Sequence, residues 1–187
     1  LAVLALIRMA ANDPDAAAAQ LQSPWGPKLN SEERNWVWGF IGRQAATRLS
    51  DDALDYYSRV TQDSDLTDDM LEWEVRAALR AGQWRTVLSG IDAMSKSERN
   101  NVTWVYWKAH ALLTTLNATQ RADPASPRRL EATALLQGIA GVNGFYPQLA
   151  LEDLGERVTV PPLPAPPTAQ EKAVALQDPA LNPPLYA

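Results

Sequence analysis

At 187 residues, 46% hydrophobic and 21% charged, the sequence has the make-up of a globular domain with a sizeable core. Its 17 basic and 22 acidic side chains give a net charge of −5, which argues against a phosphate-tracking surface and so against nucleic acid as a partner. Cysteine is absent, which excludes disulfides, a thiolate nucleophile and Cys-based zinc sites but leaves the redox compartment open.

The chain opens on the apolar run Leu1 to Ile7, which Arg8 stops well short of the ~20 residues a transmembrane segment needs. Because the positive charge follows the apolar run, the start does not read as a signal peptide. The expectation is a helix cut into by a domain boundary, with the far end, Asn182 to Ala187, also interrupted and the parent protein longer.

Helix signals then recur throughout, and no stretch alternates β-branched and polar residues between hairpin turns. The expected class is all-α. Capping boxes are read at Asn30-Ser31-Glu32-Glu33, Ser95-Lys96-Ser97-Glu98 and Thr168-Ala169-Gln170-Glu171, and Ser126-Pro127 puts a proline at a first helical position. Helices are predicted at 1–11, 13–22, 31–49, 51–60, 67–81, 83–94, 98–116, 127–140, 145–154 and 168–177. Ala81-Gly82-Gln83 is read as the tight break of an αα-hairpin, glycine accepting the left-handed conformation that ends a helix. Ala122-Asp123-Pro124-Ala125 reads as a short loop between two helices.

Trp38, Trp73 and Trp107 are spaced by 35 and 34 residues, and each opens an Ala-containing helical stretch. Trp73-Glu74-Val75-Arg76-Ala77-Ala78-Leu79 lies over Trp107-Lys108-Ala109-His110-Ala111-Leu112-Leu113 without a gap, whereas the stretch from Trp38 matches poorly. Such a period is the mark of stacked helix-turn-helix pairs, so the expected architecture is an irregular, TPR-like right-handed α-superhelix. It occupies 1–158. A proline-rich linker or strap follows at 159–167, and a short helix at 168–187 leads into a continuation.

The chemistry sought along this array is sparse. His110 is the only histidine, which removes His-pair metal motifs, and its place inside a helix reads as packing. No phosphate loop, nucleophile elbow or zinc motif is present, so no catalytic residue, cofactor or metal is assigned. The acidic pairs Asp51-Asp52, Asp68-Asp69 and Glu152-Asp153 are the material for an independent glycosidase; the first two fall in a first helical turn, where the helix dipole favours negative charge. Seven tryptophans are the compositional excess. At repeat positions they read as inter-helix wedges, while Trp25 and Trp36, near loop edges, are candidates for ligand contact.

The stretch Trp104-Val105-Tyr106-Trp107-Lys108-Ala109-His110-Ala111-Leu112, followed by Phe145-Tyr146-Pro147-Gln148-Leu149-Ala150-Leu151-Glu152-Asp153-Leu154-Gly155, resembles the superhelical region of soluble lytic murein transglycosylases. That family commonly reads W-x-Y-W-x-A-R-A-L and then F-Y-G-x-L-A-x-x-x-L-G. His110 stands where arginine is usual and Pro147 where glycine is usual. The resemblance implies a periplasmic Gram-negative enzyme that cleaves the glycan strand of peptidoglycan with a 1,6-anhydro-muramoyl product. It also implies a catalytic glutamate, followed by serine, in a separate lysozyme-like domain. No Glu-Ser pair occurs here, so that domain is expected in cis beyond Ala187 and this chain is expected to be its non-catalytic scaffold. Arg76, Arg80 and Lys108 are then candidates to guide the anionic peptide stems, since arginine and lysine pair with carboxylates. The alternative is a TPR-like protein-protein interaction module presenting a groove to a peptide or partner protein.

Overall fold

The structure, a computed structural model, describes residues 1–156 and 165–177. The chain divides into two compact units, Leu1–Arg157 and Val158–Ala187. Most of the proline-rich stretch, and everything after Gln177, lies outside the described residues.

The described residues are all-α, as the sequence predicts. The first unit runs α1 (Ala2–Asn12), α2 (Pro14–Gln20), α3 (Ser31–Thr47), α4 (Ala53–Tyr57), α5 (Asp68–Ala81), α6 (Trp84–Ala93), α7 (Lys96–Arg99), α8 (Val102–Thr114), α9 (Ala118–Ala122), α10 (Pro127–Ile139) and α11 (Phe145–Asp153). The second unit contains α12 (Ala169–Gln177). Among the described residues no helix is long and apolar enough to cross a membrane.

The predicted caps mark the starts of α3, α7, α10 and α12. Asn30 Oδ1 accepts from Glu33 N at 2.8 Å and Glu33 Oε2 accepts from Asn30 N at 3.0 Å, the reciprocal box that begins α3. Thr168 and Glu171 repeat it at α12. Gly82 ends α5 at φ 67°, and Gln83 N donates back to Ala78 O at 2.9 Å, so the α5–α6 hairpin turns where expected.

Three predicted helices differ in extent, and the one expected over 51–60 spans only Ala53–Tyr57. The helix expected over 98–116 is broken: α7 is one turn long, and Asn101 restarts the chain by accepting from Thr103 N at 3.0 Å. The Ser95 box is only half made, because Ser95 N donates to Asp68 Oδ1 at 2.7 Å and Glu98 instead accepts the Trp104 indole N–H at 2.9 Å. The helix expected over 13–22 ends at Gln20 and gives way to a π turn, Leu21–Trp25, and a 3₁₀ turn, Gly26–Lys28. Pro24 within that turn has no N–H to continue the ladder. The short helix α9 was not foreseen, although Asn117 and Gln120 form a full capping box there.

Burial is organised as clusters joined by shared helices. Leu6, Ala10, Ala17, Ala18, Val37 and Ile41 pack α1 and α2 on α3. Ala45, Ala46, Ala53, Tyr57 and Ala77 join α3, α4 and α5. Leu71, Val75, Val87, Ile91 and Trp104 join α5, α6 and α8, and Ala109, Leu112, Ala132, Leu136 and Ala150 join α8, α10 and α11. Packing therefore passes from each helix to its near neighbours, the pattern of a helical array rather than of one central core.

Small residues set the spacing. A methyl group on Gly42 would stand 2.8 Å from the Tyr57 ring, and one on Gly90 would stand 2.7 Å from Val75 Cγ2. Tyr57 itself is buried and donates to Met70 O at 2.7 Å. At the end of α3, Leu49 takes φ 59° and is 70% exposed, so an L-residue bears left-handed strain with no packing in return. Leu49→Gly is expected to raise stability by about 0.5–1 kcal/mol. A lower urea midpoint than the parent's would contradict this.

Candidate functional site

The structure separates the residues singled out from sequence by what already engages them. Trp25 is 38% exposed, with Lys28 Nζ 4.5 Å from its ring centroid. Trp36 is half-buried in the second turn of α3, stacked on Phe40 with centroids 5.8 Å apart. Trp38 and Trp104 are core residues, and Trp73, Trp84 and Trp107 are partly buried against it.

Arg76 donates to Glu72 at 2.9 Å and lies over both Trp73 on α5 and Trp104 on α8, 5.1 and 5.0 Å from their ring centroids. Arg80 donates to Ser50 O at 2.8 Å and faces Asp51 at 3.5 Å. Lys108 is held by Asp92 at 2.6 Å and faces Glu131 at 3.7 Å. These three cations thus sit in separate ion-pair settings and do not form one basic patch. His110 is packed among rings, its centroid 5.4 Å from Trp84 and 5.7 Å from Trp107.

The acidic pairs are also engaged. Asp68 caps Ser95, Asp69 pairs with Arg43, and Asp51 faces Arg80. Beside α11, burial together with Asp153 pushes the Tyr106 hydroxyl up to about 12. Among carboxylates of the described residues the strongly perturbed one is Glu74 on α5: burial first, and then the charge of Asp63, pushes it up to about 7. Its Oε2 lies on the α6 side, 3.8 Å from where a methyl on Gly90 would be, so the group is wedged between two helices. Among the described residues no group of three or more His, Asp or Glu side chains could hold a metal ion.

One concave site was not visible in the sequence. A cleft of about 360 Å³ opens where the turn at 21–27 meets α3 and the chain after α4, with Arg34, Arg59, Trp38 and Thr61 among its walls. Arg59 lies over the Trp38 ring, 5.0 Å from its centroid. With its oxygen turned toward that guanidinium, the Gln22 amide accepts from both terminal nitrogens at 2.7 and 3.0 Å. Asn35, 3% exposed, forms the back of the cleft: it donates to Asp65 at 2.7 Å and accepts from Thr61 N at 3.0 Å. No carboxylate lines the cleft among the described residues. Arg34 and Arg59 are far apart in sequence and meet only through the α3–α4 turn, which is why spacing gave no signal.

No protein-family model matches the chain. The soluble lytic murein transglycosylase of Salmonella typhimurium strain LT2 is 28% identical over 157 residues, covering 78% of this chain and 21% of that protein. An X-ray structure of an inactive mutant of lytic transglycosylase Slt from Pseudomonas aeruginosa superposes with a TM-score of 0.66 at 25% identity, over 96% of this chain and 28% of that one. The chain therefore spans between a fifth and a third of the length of these relatives. Sequence and fold agree in relating this chain to the soluble lytic murein transglycosylase family.

Proposed function

We propose that this chain is a non-catalytic helical scaffold of a periplasmic peptidoglycan lytic transglycosylase, acting in cis with a catalytic domain that cleaves the glycan strand to 1,6-anhydro-muramoyl ends. The observation that carries the reading is the likeness to Slt, which runs over 96% of this chain in fold while this chain amounts to 28% of Slt. It is supported by the engagement of Asp68, Asp69 and Asp51 in a cap and ion pairs, and by the absence of any Glu-Ser pair in the sequence. An array whose packing passes from neighbour to neighbour holds a defined curvature, and such a scaffold positions a catalytic domain rather than performing chemistry.

Within this reading Trp25 and Trp36 are the aromatic surfaces offered to sugar or peptide. Arg76, Arg80 and Lys108 are cations that a stem-peptide carboxylate would reach by displacing their present partners.

The test is digestion of purified sacculi by this chain and by a longer chain that includes a catalytic domain, read by mass spectrometry. Anhydro-muropeptides are expected from the longer chain only. Their release by this chain alone would overturn the scaffold reading, and silence from a folded longer chain would favour a TPR-like module that binds a protein partner.

A further inference from the structure

The cleft between Arg34 and Arg59 differs from most other basic places on the molecule; Arg85 and Arg128 also share a cleft with no carboxylate in its lining, but that one has no aromatic wall. Arg43, Arg76, Arg80 and Lys108 each face a carboxylate, and Arg48, Arg99, Arg121 and Arg129 donate to backbone carbonyls. Arg59 is instead fixed by a ring and a neutral amide, both of which leave its charge uncompensated. The Arg34 side chain makes no hydrogen bond or ion pair with the described residues, though it opens on the same cleft. Two exposed guanidinium groups that share a cleft with no carboxylate in its lining make a local positive potential, in a protein of net charge −5, that attracts an anion.

The rest of the cleft narrows the kind of anion. Pro27, Leu21 and Trp38 give it an apolar side, and Thr61 gives a polar edge. The volume, about 360 Å³, is at the lower end of small-ligand pockets, which run from about 300 to 1,000 Å³. A short peptide with a free carboxylate fits both the chemistry and the size. A bare phosphate would leave the apolar wall unused, and a glycan strand offers no charge to the arginines. We infer that this cleft is a carboxylate-binding subsite for the peptide stem of peptidoglycan, with Arg34 and Arg59 as its charged partners and Trp38 as the platform that holds Arg59 in place. The identity of the peptide rests on the function proposed above; the carboxylate chemistry does not.

The test is isothermal titration of this chain with a synthetic tetrapeptide stem bearing free carboxylates, with the same peptide amidated, and with di-L-glutamate. Saturable binding of the tetrapeptide is expected, weakened about tenfold or more by amidation and by Arg34→Ala or Arg59→Gln, since each removes a charge-assisted hydrogen bond. Arg34 is exposed and has no side-chain hydrogen bond or ion pair with the described residues to lose, so Arg34→Ala reports on binding even if Arg59→Gln loosens the fold. Arg85→Ala, in a different cleft, is expected to change nothing. No binding by the parent chain, or binding that Arg34→Ala leaves intact, would overturn the subsite. Retention of this chain on sacculi with no tetrapeptide binding would sink the subsite while leaving the peptidoglycan reading in place. Equal binding of di-L-glutamate with the same arginine dependence would keep the carboxylate site and overturn its assignment to the stem.

Discussion

Trp104→Ala is expected to cost about 3–5 kcal/mol of unfolding free energy, the range for removing a large buried aromatic. Trp104 is 2% exposed at the meeting of α5, α6 and α8. Its indole N–H donates to Glu98 at 2.9 Å, and Arg76 lies 5.0 Å from its ring centroid. The substitution leaves a cavity, strips Glu98 of its donor and removes one of the two rings under Arg76. A domain of this size has a total stability of only about 5–15 kcal/mol, so the loss is a large share of it. Trp104→Phe keeps most of the burial and loses the hydrogen bond, for which about 1–2 kcal/mol is expected. Urea unfolding reads both: the midpoints fall in the order parent, Phe, Ala. Because packing here passes between neighbouring helices, hydrogen exchange in Trp104→Ala should rise first in α5, α6 and α8 and least in α1. A cost under about 1 kcal/mol, or exchange that rises uniformly, would show that the array is not built from such local joints.

Where a helix begins was legible when its cap is local. Asn30 with Glu33, Thr168 with Glu171 and Gly82 needed nothing beyond their own turn. The Ser95 box marks the start of α7 but is only half made, because its second half is supplied from α5, where Asp68 takes the Ser95 N–H, and a tertiary contact leaves no mark at that spacing. The same limit governed the candidate site. Charge identified Arg76, Arg80 and Lys108, but a sequence does not show whether a cation is already matched. Asp51 stands 29 residues from Arg80, and Lys108 draws its acids from α6 and α10. Arg34 and Arg59 passed unnoticed for the converse reason: nothing in their own segments is unusual, and only the path of the chain from α3 through α4 gives them a common cleft. Tryptophan spacing fared better, because a large apolar ring at a periodic position has few places to go other than between helices. Trp38, Trp73 and Trp107 all pack against core clusters.

Glu74→Gln is expected to stabilise the protein at neutral and alkaline pH and to leave it unchanged in mild acid. Burial between α5 and α6, reinforced by the charge of Asp63, moves the Glu74 carboxyl from its ordinary 4.5 to about 7, so the folded state holds this proton more tightly than the unfolded chain does. Between pH 4.5 and 7 the unfolded state releases the proton while the folded state retains it, and stability is lost as the pH rises; above about 8 the penalty is complete. A shift of this size corresponds to at most about 3 kcal/mol. Glutamine has the shape of the protonated acid and does not titrate, so it should escape the penalty. The difference between Glu74→Gln and the parent is therefore predicted to be near zero at pH 4 and to grow through pH 5–7 to about 2–3 kcal/mol at pH 8, measured by urea unfolding at each pH. The neighbouring Tyr57 hydroxyl, held above its usual range by burial and by Glu74 and Asp69, titrates too high to contribute in that window. A difference that does not vary with pH would mean that Glu74 is solvated in solution and that α5 and α6 stand further apart at Gly90 than the close contact with Val75 requires.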